Sequence, residues 1–117
     1  MQYLCLIYES ESLWDSRSEA EQGKIFQEYM TFTNAVKESG HLVAGDALQP
    51  TNTATTVRVR NNETLVTDGP FAETKEQLGG YYLLECASLE DAIEKAAQIP
   101  AARDGSIEVR PIMVFDK

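Results

Sequence analysis

Thr67-Asp68-Gly69-Pro70-Phe71-Ala72-Glu73-Thr74-Lys75-Glu76-Gln77-Leu78-Gly79-Gly80-Tyr81-Tyr82 crowds turn-formers, charges and aromatics between two apolar runs. Asp68 can bond its own backbone two residues on, Gly69 permits positive backbone angles, and Pro70 presets the next one, so the segment opens as a turn. Gly79-Gly80 is the signature of a bulge or a close backbone approach inside the strand that follows, read as Leu78 to Cys86. Upstream, Thr55 to Arg60 alternates, with Val57 and Val59 on one face and Thr56, Arg58 and Arg60 on the other. Asn61-Asn62 tolerates positive angles, which makes Glu63 to Thr67 the returning half of a hairpin.

Working outward, Gln2 to Tyr8 is a short apolar run read as a buried first strand, followed by a polar loop through Ser10 to Asp15. Ser16 or Ser18, with Glu19 or Glu21 three residues later, has capping-box spacing. Ile25, Tyr29, Phe32 and Val36 then recur at helical spacing until Gly40 stops the helix. His41 to Leu48 reads as a second strand, Ser88 with Asp91 opens a second helix ending before Pro100, and Ile107 to Phe115 closes the chain as a last strand. With the hairpin taken as an insertion, the order is the β-α-β-β-α-β pattern of ferredoxin-like α+β domains, an antiparallel sheet with two helices on one face. Tyr81, Leu83, Ile112 and Val114 make the other face too apolar to leave bare, which predicts a homodimer packed sheet to sheet.

The chain has 117 residues and suits a single domain over 1–117. Its 19 acidic against 10 basic side chains, a net charge of -9, repel a phosphate backbone and exclude nucleic acid as an expected partner. No run approaches the roughly 20 apolar residues that cross a bilayer, and no basic-then-apolar leader opens the chain, so no membrane partner and a cytoplasmic location are expected. Cys5 and Cys86 lie in apolar strand-like runs and read as small buried hydrophobes rather than a disulfide framework or a metal site. The sequence displays no metal-ligand cluster, glycine-rich phosphate loop or activated-serine elbow, so neither a metal nor a cofactor is expected.

The segment Thr67 to Phe71, with Glu73, Lys75, Glu76, Gly79 and Gly80, resembles the DGPF branch of the YCII-related proteins nearly position for position. Ala54 to Arg58 and Ile107 to Pro111 match as well, so the likeness covers the whole chain. It implies a dimeric α/β-barrel fold, lyase-like small-molecule chemistry and, from the company such proteins keep, a regulatory setting beside extracytoplasmic-function sigma factors. A His-Asp pair belongs to many YCII-type proteins, the histidine lying on the first helix. The first helix here has none, and the pair is not carried over.

Several residues are candidates for a site. Asp68, presented by a sharp turn at a strand end, could serve as a general base or simply shape the turn. Phe71 is expected to plug the core. Glu73 and Lys75 could contact a ligand or form a solvated charged turn. Strand parity puts Glu108 and Arg110 on one face, Arg58 away from the valines, and Tyr81 or Glu85 toward the same proposed cleft. Arg58 and Arg110 could then bind a small anionic or oxygen-rich molecule between subunits, or pair with Glu85 and Glu108 to set their register. His41 follows the helix stop, where a positive charge favours the carbonyls, or it could be catalytic with Asp68 or Asp46 as partner. The two functional expectations are a small-molecule enzyme and a non-catalytic dimeric ligand-sensing or interaction module.

Overall fold

The computed structural model of the protein describes residues 1–115. Strict alternation in the first strand, β1 (Gln2–Glu9), sets the layers, with Tyr3, Cys5 and Ile7 buried on one face and Leu4 and Leu6 half-buried on the other. β1 pairs antiparallel with β5 (Gln77–Glu85) on one side and β6 (Ser106–Pro111) on the other. β2 (Leu42–Ala47) lies beyond β5, giving the order β2-β5-β1-β6. This is the ferredoxin-like arrangement that the element order predicts.

Two helices cover the face that carries Tyr3, Cys5 and Ile7. The long one, α2 (Glu19–Glu38), starts at Ser18, whose side chain accepts from the Glu21 amide while Glu21 reaches back to the Ser18 amide. Its Phe32 and Val36 are buried, and Phe32 meets the Tyr82 ring edge-on at 5.0 Å. α3 (Leu89–Ala96) is capped by Ser88 through the Asp91 amide and buries Ala92 and Ala96. Leu84, Ile99 and Val36 are at most 1% exposed, and burial of side chains of this size stabilises by about 1.5–3 kcal/mol each. Gly40, at φ +82, ends α2 and lets the His41 amide return to the Val36 carbonyl at 2.9 Å.

Glu11–Ser16, expected to lie in a loop, forms a short helix, α1, ahead of the long one. Ser10 caps it, and Trp14 packs edge-to-face on Phe26 with ring centroids 5.5 Å apart, so a tertiary contact outweighs the polar character of the segment. The last strand is shorter than its apolar run. It ends at Pro111, which has no amide proton to continue the ladder, although the Ile112 amide still bonds the Gln2 carbonyl.

The inserted hairpin is β3 (Thr55–Arg60) and β4 (Glu63–Asp68), joined by Asn61 and Asn62 at φ 51 and 64. Both central residues have the positive φ of a type I′ turn. The hairpin makes its own two-stranded sheet and packs extensively on no other element. Val57 and Val59, which share one face of the arm, are each 59% exposed and do not meet the helices. The arm stands away from the body, and the radius of gyration is 16.3 Å against about 13 Å for a compact chain of this length. Phe71 does not plug the core either: it is 80% exposed beside the base of the arm.

Gly80 shows why the β2–β5 edge needs a residue without a side chain. A Cβ there would sit 2.8 Å from the Asp46 carbonyl oxygen and 3.3 Å from the Ala47 Cα, both backbone atoms that cannot swing aside. Gly80→Ala is expected to destabilise the fold by about 1–3 kcal/mol, measured as a lower urea midpoint with unchanged slope.

Candidate functional site

Continuing the alternation of β1 past Ile7 brings Glu9 onto the helix-covered face, at the end of the row that buries Tyr3 and Cys5. The helix layer is lifted off the sheet at this end, enclosing a cavity of about 430 Å³ between α1, α2 and the β2–β5 edge. Trp14, Phe26, Tyr29 and Tyr82 form its aromatic walls, and Gly45, Gly79 and Gly80 leave room along its floor. Gly79 is the extra residue of a bulge, since Ile7 faces Gly80 while Tyr8 faces Leu78. The bulge kinks β5 where the cavity opens and bears out the reading of the glycine pair.

The polar groups of the cavity differ in how fully they are engaged. Glu11 accepts from the Thr51 amide at 2.8 Å and the Thr51 hydroxyl at 2.6 Å, tying α1 to the root of the hairpin. The Gln77 side-chain carbonyl holds the Glu11 amide at 2.9 Å. The Tyr82 and Thr33 hydroxyls bond each other at 2.7 Å, while the Tyr81 hydroxyl donates to Asp46 at 2.6 Å on the opposite face of the sheet. Among the described residues Glu9 has only Arg17 as an ionic partner, with a nitrogen 3.9 Å away. That guanidinium makes its close contact with Asp104 at 2.8 Å and lies over the Trp14 ring. Burial therefore pushes the Glu9 carboxyl above the ordinary carboxylate range, and Arg17 offsets this only in part. Burial likewise raises Tyr29, with the neighbouring Glu9 charge adding to it.

The residues singled out in the sequence occupy other places, with one exception. Tyr81 borders the cavity, but its side chain lies with Leu6 on the uncovered face, where the bond to Asp46 keeps its hydroxyl protonated to higher pH. Asp68 is exposed at the end of β4, where Gly69 at φ 98 donates to the Ala54 carbonyl and accepts from the Thr56 hydroxyl. Arg58 is exposed on the arm opposite Leu65, and Glu73 and Lys75 are exposed in the loop before β5. Arg110 pairs with Glu108 of its own strand at 3.0 Å on the uncovered face, and Glu85 pairs with the terminal amine at 2.8 Å. His41 meets neither Asp68 nor Asp46: its Nε2 lies 3.2 Å from Asp91, with Cys86 close by. Glu9 was missed because a lone acid at the end of an apolar run reads as the start of a loop. Its parity with Tyr3, Cys5 and Ile7 was the available signal.

The model of the YCII-related domain matches residues 1–116. The chain belongs to the YCII-related domain family. A protein of Rhizobium meliloti (strain 1021), called uncharacterized protein R00369, is 40% identical over 117 residues, which is 98% of this chain and 94% of that one. The family likeness read from the Asp68 segment is thereby shown for this YCII-related chain. No helix among its described residues is long and apolar enough to cross a membrane.

Because the Glu9 carboxyl is raised in the folded protein, the fold binds its proton more tightly than the unfolded chain does. Its contribution to stability is complete below the ordinary carboxyl pKa and is lost as pH rises through the folded value. Glu9→Gln is expected to melt higher than the parent at pH 7, with the difference closing below about pH 4. Thermal melts across that range check it.

Proposed function

We propose that this YCII-related protein binds a small, largely apolar molecule with a polar head in the cavity under α1 and α2, and that Glu9 exchanges a proton with it. The observation that carries this reading is the Glu9 carboxyl, raised by burial and lightly partnered, at the wall of an aromatic cavity of about 430 Å³. Cavities of this size and lining hold small organic ligands, and a carboxyl moved toward neutral pH suits general acid–base work. Glu9 and Glu11 are acidic, and no Lys or Arg is among the residues lining the cavity. A neutral or cationic ligand complements that wall better than the anion expected from Arg58 and Arg110. The chemistry favoured is proton transfer to or from a bound substrate, in keeping with the lyase-like activity that the resemblance implies.

Trp14 is the one tryptophan in the chain and lines the cavity, so its fluorescence reports occupancy. Titration with benzylamine, phenol and benzoate is expected to perturb the emission with the first two and little with the third. Ala47→Phe, which fills the space facing Gly80, should abolish the response, and Glu9→Gln should erase the preference for benzylamine over benzoate. A flat response to all three probes, or one unaltered by Ala47→Phe, would refute the reading.

A second reading rests on the uncovered sheet face. Leu4, Leu6, Tyr81 and Leu83 share it, half-buried in the single chain, bordered by Asp46, Glu108 and Arg110. We infer that two copies pair through this face, forming the homodimer of an α/β barrel, and that a non-catalytic sensing module would use the same assembly. Leu83→Asp places a charge in the centre of that strip and is expected to shift the protein from dimer to monomer in sedimentation. A wild-type monomer at micromolar concentration would remove the dimer from consideration.

A further inference from the structure

We propose that His41, Cys86 and Asp91 form a binding site for a divalent transition-metal ion of the zinc class. The three come from separate elements that the fold brings to one end of the sheet. His41 directly precedes β2, Cys86 directly follows β5, and Asp91 sits in the first turn of α3. The Glu85 amide donates to the His41 carbonyl at 2.7 Å, so the ends of the two strands are fastened together beside the thiol. One donor atom from each of the three residues lies within 4.8 Å of the others. Tetrahedral zinc with bonds of about 2.0–2.3 Å spaces its nitrogen and sulfur ligands by about 3.5 Å, so rotamer adjustments of about 1 Å complete the set. The His41 Nε2 to Asp91 Oδ2 separation is already 3.2 Å.

The groups around these donors act as supports. His41 Nδ1 is 2.7 Å from the Ser39 hydroxyl, which also reaches the Val36 carbonyl at 3.2 Å. When that hydroxyl donates to Val36 it accepts from Nδ1, which fixes the ring and turns Nε2 toward Asp91. A cation between Nε2 and Asp91 takes the place of the proton that otherwise bridges them, with Ser39 orienting the ring as outer-shell partners of metal-bound histidines do. The Ala87 amide fixes Asp91 Oδ2 at 3.0 Å, which orients the carboxylate toward His41. Lys95, with its nitrogen 3.9 Å from Asp91 Oδ1, is the competing cation.

Cys86, buried beside Asp91, is the sulfur donor of the set. A bound metal supplies the positive charge that makes it a thiolate, and the released proton passes to solvent. The mixed nitrogen, sulfur and oxygen set suits zinc, and three protein ligands leave a fourth position for water. His41 and Asp91 side chains are 21% and 23% exposed, which gives an ion access from solvent. The cluster lies beyond Glu85 while Glu9 faces Gln77, so the proposed metal ligands and the cavity's raised carboxyl stand at opposite ends of β5, about 25 Å apart along the strand.

Cobalt(II) titration of the metal-free full chain, followed by absorption and calorimetry, tests the site. The expected result is one ion per chain and a thiolate-to-cobalt charge-transfer band that zinc displaces. Cys5→Ser should keep the band, Cys86→Ser should lose it, and His41→Gln, a change at a half-exposed position, should weaken binding at least tenfold. Zinc should also slow modification of Cys86 by a thiol reagent. Absence of the band in the parent protein, its persistence in Cys86→Ser, or undiminished affinity in His41→Gln would overturn the proposal.

Discussion

The two-sided pairing of β1 is the constraint on which the remaining structure depends. This strand hydrogen-bonds to β5 and β6 at once, and its alternation decides which face of the sheet meets the helices. A slip of one residue would move Tyr3, Cys5 and Ile7 to the open side and Leu4 and Leu6 into the helix layer. Burial opposes that slip: Cys5 is fully buried, and burial raises its thiol to about 11, the behaviour of a small core hydrophobe. The same register carries Glu9 onto the helix side, so the polar group of the cavity is placed by the packing of the core.

Both ends of the sheet have polar clusters, and their chemistry differs because the packing differs. At the Glu9 end the layers part, the walls are aromatic, and a carboxyl with a distant cation is held up in pKa by desolvation. At the Cys86 end the layers close, and the capped start of α3 lowers the Asp91 carboxyl through a backbone amide. Two acids of the same intrinsic class are thus driven in opposite directions by their surroundings.

The arm presents a different physical problem. A two-stranded hairpin is marginal alone in water, yet this one carries exposed Val57, Val59 and Val66 on a ladder that no other element covers. Its type I′ turn and the brace of Glu11 on Thr51 hold its shape at the two ends. The uncovered valines are consistent with an assembled rather than solitary chain, as is the apolar strip on the open sheet face.

Local rules in the sequence determined the capping serines Ser18 and Ser88, the glycine stop at Gly40, the Asn61-Asn62 turn, the bulge glycines and the element order that spells a ferredoxin-like domain. Each depends on residues within a few positions of one another, where backbone preference and short hydrogen bonds dominate. The family was legible too, because the Asp68 segment is itself a contiguous string. The site was not. Glu9 with Tyr29, and His41 with Cys86 and Asp91, are joined by strand order and helix packing over separations that no local pattern encodes. Nor could hydropathy tell that the valines of the arm and Phe71 stay outside the core, since an apolar side chain states a preference for burial without saying what will cover it. Only the tertiary structure decided which acid lost its solvent, because desolvation is a property of the surroundings and not of the residue.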